Sequence, residues 1–169
     1  AKMILFKKIL LKKSSIVLDK NIKQFFFLKK IAKKRKLRLI EISKIIKKIK
    51  KNSVSLGGEF KEKNLAMAIA ASKLCGLKES KIYKSLKKVK DVNGRLELSR
   101  QFPNNIKVFI DYAHTPDALL KTLQFLTKKY GKNISLVFGC GGERDKKKRP
   151  LMAKVASSFS KKIYVTDDN

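Results

Sequence analysis

The sequence is poor in acidic residues. Its 169 residues hold 13 Asp and Glu against 43 Lys and Arg, a formal net charge of +30. Such an imbalance ordinarily points to nucleic acid or an anionic membrane. Arginine is scarce as well, with 6 among the 43 basic residues. Base-edge and bidentate phosphate contacts favour arginine. The ratio therefore weighs against a dedicated nucleic-acid reader and fits compositional drift towards lysine on solvated faces. Only two cysteines are present, Cys75 and Cys140. They cannot build a disulfide framework, and they suit a reducing, cytoplasmic setting. With a single histidine, His114, there is no Cys/His set for zinc. The longest run free of charged residues is the ten at 133–142, too short to cross a bilayer. The opening AKMILFKKILLKK is apolar, but Lys7 and Lys8 interrupt any signal-peptide core. No internal repeat is present, and no G-x-x-x-x-G-K-[ST] phosphate loop occurs.

What is there suffices for a core. Hydrophobic residues make up 43% of the chain, which excludes the composition of a disordered protein. The charge is unevenly spread: residues 1–93 carry 28 basic and 6 acidic side chains, residues 94–169 carry 15 and 7. All three prolines lie in the second part. A domain boundary is expected near Asn93-Gly94, where helical sequence gives way to strands. In the first part, residues 15–19 (SIVLD) and 37–42 (LRLIEI) read as strands and 21–34 as a helix between them. Residues 45–51 are ambiguous, 64–74 (NLAMAIAASKL) read as a helix, and 79–89 as another. The consecutive Phe25, Phe26 and Phe27 are expected to pack in the core.

The second part alternates. Residues 107–111 (KVFID), 134–138 (ISLVF) and 162–166 (KIYVT) are short apolar runs typical of buried strands. Thr115 can cap a helix, Pro116 suits its first position and Gly131 ends it. A second helix is expected over 151–159. This order predicts an α/β fold with the three strands in one parallel sheet. The polar segments DYAHTPD, GCGGERD and TDDN would then leave the same sheet edge, where open α/β sheets bind ligands.

Each segment has chemistry to offer. His114 lies just past a strand end, and Asp111 beside it can accept hydrogen bonds from ribose hydroxyls or simply close the strand. GCGGERDKKKRP is a glycine-rich turn whose exposed N–H groups favour an anion, or a plain tight turn. The carboxylates of TDDN can meet Mg2+ or an ammonium group, or cap a following helix.

Four segments carry a resemblance. GRLE (94–97), DYAHTPDAL (111–119), VFGCGGERDKKKRPLM (137–152) and VTDDN (165–169) occur in the order and spacing of the bacterial Mur ligases. They are most similar to the MurE type, which adds the third peptide residue to the peptidoglycan precursor. GEFKEKNLAMAIAA, within residues 57–93, resembles the family's Phe-Asn–Asn and Ala-rich helix, and residues 1–56 resemble it weakly.

The resemblance implies an internal fragment of a three-domain cytoplasmic ligase, monomeric when complete. Residues 1–93 would be the end of a central ATP-binding domain. Residues 94–169 would be the first half of a Rossmann-like C-terminal domain. It further implies ATP and Mg2+ as cofactors, with UDP-MurNAc-dipeptide and a diamino acid, meso-diaminopimelate or L-lysine, as substrates. Asn64, Arg95, Asp111 and His114 would bind ATP, and Arg144, Asp168 and Asn169 the incoming amino acid. Without the central phosphate loop, the 169 residues alone are expected to be inactive. The chain departs from the family at Glu143, where Asp is usual, at Lys147, where Gly is common, and at Lys61, which replaces an Asn. The alternative is a basic nucleic-acid-binding protein with an α/β anion-binding module, for which the Phe triplet is the only aromatic candidate.

Overall fold

The computed structural model describes residues 11, 13–51, 58–141 and 145–167. The chain divides into two compact units, Ala1–Val89 and Lys90–Asn169.

The first unit begins with strand β1 (Ser15–Leu18), helix α1 (Phe25–Lys34) and strand β2 (Arg38–Glu41). β1 and β2 pair in parallel, Ser15 opposite Arg38 and Leu18 opposite Glu41. Successive strand residues point to opposite faces, so β1 serves two cores. Ile16 and Leu18 pack with Phe25, Leu28, Ala32 and Leu37. Val17 packs the other way, against a cluster built by helices α2 (Ser43–Lys51), α3 (Glu59–Leu74) and α4 (Glu79–Ser85) and the 3-10 turn Leu86–Lys88.

The ambiguous segment is α2. Ile42, Ile45, Ile46 and Ile49 recur at helical spacing, and all four belong to the second cluster, with Ile42 and Ile49 fully buried. The lysines between them are left at the surface.

The phenylalanine triplet corrects the expectation. Phe25 is in the core, but Phe26 is 81% exposed and Phe27 47%. Consecutive helical residues are about 100° apart, so one buried stripe takes one of the three. Phe26 lies edge-on to Phe25, ring centroids 5.6 Å apart.

The second unit opens with a hairpin of β3 (Glu97–Gln101) and β4 (Lys107–Ile110). Helix α5 (Pro116–Tyr130), strand β5 (Ser135–Gly139), helix α6 (Lys148–Phe159) and strand β6 (Lys162–Thr166) follow. β5 and β6 pair in parallel, Ser135 opposite Lys162 and Gly139 opposite Thr166. Leu119, Leu123 and Met152 from the two helices form a core with Leu136 and Phe138 of β5.

The single parallel sheet expected of 107–111, 134–138 and 162–166 is found only for the last two. β4 pairs antiparallel with β3, Glu97 opposite Ile110 and Gln101 opposite Lys107, with a bulge between Leu98 and Arg100. β3 was not read as a strand because ELSRQ has no apolar alternation. Four of its five residues are exposed. α6 starts three residues earlier than expected. Pro150 is its third residue, where a missing N–H breaks no intrahelical bond.

Candidate functional site

Strand β4 ends at Ile110, and Thr115 caps α5 five residues later, its Oγ1 accepting from the Ala118 amide at 3.3 Å. The loop between them presents Asp111, Tyr112 and His114. Opposite it lies the turn before β3, in which Gly94 (φ 66°) and Leu96 (φ 52°) both adopt left-handed backbone. Two carboxylates hold this turn. Glu97 Oε2 accepts from the Gly94 amide at 2.6 Å, and Asp111 Oδ2 from the Leu96 amide at 2.7 Å.

Arg95 projects from between these two residues. Its guanidinium lies 4.4 Å from the centroid of the Tyr112 ring, a cation–π contact. The His114 ring meets the same tyrosine edge-on, centroids 5.1 Å apart. His114 Nδ1 is 3.1 Å from the Tyr112 carbonyl. A carbonyl can only accept, so Nδ1 carries a proton, and in the neutral ring Nε2 offers a lone pair. From the start of α6, Lys148 Nζ donates to the His114 carbonyl at 3.2 Å. The loop after β4 therefore meets the start of α6. An arginine and a histidine flank one exposed tyrosine just before α5, whose dipole adds positive potential, and Lys148 joins them through the His114 carbonyl. Such a surface suits an anion with an aromatic or ribose portion.

Three of the sequence-expected residues, Arg95, Asp111 and His114, are thus brought together. Asn64 lies in the first unit, exposed on α3. Its neighbour Lys63 bridges Asp19 at the end of β1 (2.9 Å) and Glu59 (2.8 Å). Burial pushes the Asp19 carboxyl up, but the Asn21 amide and Lys63 outweigh it and the net shift is downward. Glu59 and Asp19 in turn raise Lys63. Arg144, Asp168 and Asn169 lie outside the described residues. Cys140 packs against Met152, sulfur to sulfur 3.6 Å, in the core of the unit. Sequence reasoning passed over Tyr112 and the left-handed Leu96. The first was visible as the residue between Asp111 and His114, while the second left no sequence signal. Among the described residues no three His, Cys, Asp or Glu side chains cluster as metal ligands would. The described residues do not make up a set for Mg2+.

The family model described as "Mur ligase, glutamate ligase domain" matches residues 94–169. Over 114 residues the chain is 44% identical to the UDP-N-acetylmuramoyl-L-alanyl-D-glutamate–2,6-diaminopimelate ligase of Rickettsia typhi, covering 66% of this chain and 22% of that protein. The ligase of the same name from Rickettsia bellii is 35% identical over 192 residues, covering 100% of this chain and 40% of that protein.

The chain carries a Mur ligase domain over residues 94–169.

It spans 40% or less of the length of these two relatives. Among solved structures, Helicobacter pylori folylpolyglutamate synthetase shares the fold, with a TM-score of 0.51 at 21% identity over 96% of this chain and 41% of that one. The arginine, tyrosine and histidine just described all fall in the Mur ligase segment. No described helix is long and apolar enough to cross a membrane.

Proposed function

We propose that the chain is part of an ATP-dependent ligase that joins a diamino acid to UDP-MurNAc-L-Ala-D-Glu. The first unit would be the end of the ATP-binding domain and the second the start of the domain that receives the amino acid. The observation that carries this reading is the convergence of Arg95, Tyr112, His114 and Lys148 on one exposed surface of the second unit.

In the reaction, a carboxylate oxygen of the D-Glu residue attacks the γ-phosphorus of ATP and ADP leaves. The amine of the incoming diamino acid then attacks the acyl carbon, loses a proton and expels phosphate. The work is positioning and charge neutralisation. Arg95 and Lys148 supply fixed positive charge for the nucleotide, and His114 a donor or acceptor at the nucleotide edge. Asp111 holds the turn that carries Arg95. Arg144, whose planar fork can grip a carboxylate bidentately, would hold the diamino acid together with Asp168 and Asn169. Mg2+ would neutralise phosphate charge in the whole enzyme.

An ADP titration followed by 1H–15N NMR tests the reading. Shifts concentrated at Arg95, Tyr112, His114 and Lys148 are expected. Shifts spread evenly over surface lysines would refute it.

One observation favours a second reading. Phe26 and Phe27 are exposed on α1, with Lys23, Lys29 and Lys30 also at the surface, the aromatic and basic pairing that single-strand binders use. Salt-dependent binding of a single-stranded oligonucleotide that Phe26→Ala weakens would support it. Binding indifferent to that substitution would not.

A further inference from the structure

We infer that Asp111 is a positioning residue: it fixes the strained turn that displays Arg95, and its negative charge is not itself a ligand contact. The geometry is independent of the proposed function, and only the consequence for nucleotide binding rests on that reading.

Both carboxylate oxygens are engaged within the unit. Oδ2 accepts from the Leu96 amide at 2.7 Å, and Oδ1 accepts from the Thr122 hydroxyl at 3.3 Å. Thr122 is buried in α5, so Asp111 ties the turn before β3 to the helix after β4. The tie has something to hold. Leu96 is a non-glycine residue at φ 52° with 5% of its surface exposed, and such backbone persists only where its surroundings over-determine it. The neighbouring amides are held too: Gly94 by Glu97, and Arg95 by the Val92 carbonyl at 3.1 Å. Three successive amides are thus fixed around the residue whose guanidinium faces solvent. Tyr112, the next residue after Asp111, lies against that guanidinium. One dipeptide therefore sets both the main chain and the side chain of Arg95.

Isosteric and truncating substitutions separate positioning from charge. In Asp111→Asn the carbonyl oxygen still accepts from Leu96 and the amide still meets Thr122, so the turn survives without the charge. Asp111→Ala loses both bonds. The test measures ADP affinity and the Leu96 amide (proton shift and hydrogen exchange) in wild type, Asp111→Asn, Asp111→Ala, Arg95→Ala and the Arg95→Ala/Asp111→Ala double variant.

The expected result is a Leu96 amide kept in Asp111→Asn and deprotected in Asp111→Ala. ADP binding should stay within about twofold in the first and fall about tenfold in the second, the scale of one lost charge-assisted bond. In the Arg95→Ala background, Asp111→Ala should weaken binding no further. A tenfold loss in Asp111→Asn with its Leu96 amide intact, or additive losses in the double variant, would overturn the inference. If Asp111→Ala does not fold, Asp111→Asn decides by the same two readouts. If wild type binds no ADP, the proposed function fails. The Leu96 amide then still tests the tie, and full protection in Asp111→Ala would refute it.

Discussion

Lys63→Ala should be the most damaging single change in the ion network of the first unit. The ammonium group bridges Asp19 at 2.9 Å and Glu59 at 2.8 Å. The two carboxylates differ greatly in environment. The Asp19 side chain is 5% exposed and that of Glu59 73%. Without Lys63, Asp19 remains a buried carboxylate, with the Asn21 amide, 2.9 Å away, still donating to it. Breaking a fully buried pair costs about 3–5 kcal/mol. Here the Lys63 side chain is 27% exposed and the Asn21 bond persists, so about 2 kcal/mol is expected. Asp19→Ala removes the group that needs compensation and should cost about 1 kcal/mol. Glu59→Ala should cost under about 0.5 kcal/mol, as for an exposed pair.

The pH dependence has a definite sign. Asp19 and Glu59 are held below their ordinary values of 3.8 and 4.5, so their contribution is full above those values and is lost as pH falls through the folded ones. Lys63 is raised above 10.5, so its contribution persists until pH climbs past that value. The gap between wild type and Lys63→Ala should be flat between about pH 5 and 10 and close in acid. Amide exchange at Asn21 and along α3, measured in urea at several pH values, reads both quantities. A Glu59→Ala cost equal to that of Lys63→Ala, or a gap that widens in acid, would refute the reasoning.

Other substitutions probe the second unit. Leu123→Ala removes a side chain 1% exposed between Leu119 and Met152, and should cost about 3 kcal/mol in a thermal or urea melt. Gly94→Ala places a Cβ in open space but at φ 66°, so only backbone strain of about 1 kcal/mol is expected; a larger loss would mean contacts the turn does not have. With a thiol reagent, exposed Cys75 should react fast and Cys140, packed on Met152, slowly; equal rates would contradict the packing.

How much of this was legible in the sequence depended on whether the signal was local. Helix α5 was read at its observed bounds, because Thr115, Pro116 and Gly131 are punctuation that acts within one turn. Strand β6 was read the same way. α2 was ambiguous because lysines outnumber isoleucines in it, and its period shows only when Ile42 is counted with the helix. Strand β3 went unread and β4 was given the wrong partner, since hairpin pairing is set across the turn at 102–106 rather than by either strand's composition. Of the candidate site, Asp111 and His114 were legible from their place just past a strand end, while Arg95 came from the resemblance alone. The tie from Asp111 to Leu96 spans 15 residues and the contact of Lys148 with His114 spans 34. No local pattern reports contacts that distant in sequence.

The central claim is that Arg95 and its neighbours form a nucleotide-facing surface. The measurement that tests it most directly is the affinity of the chain for ADP, by calorimetry or NMR, in wild type and Arg95→Ala at two salt concentrations. The account predicts saturable binding in wild type that Arg95→Ala weakens about tenfold. It also predicts that added salt weakens the wild type more than the variant. Equal affinity in the two proteins, or no saturable binding in wild type, would contradict it.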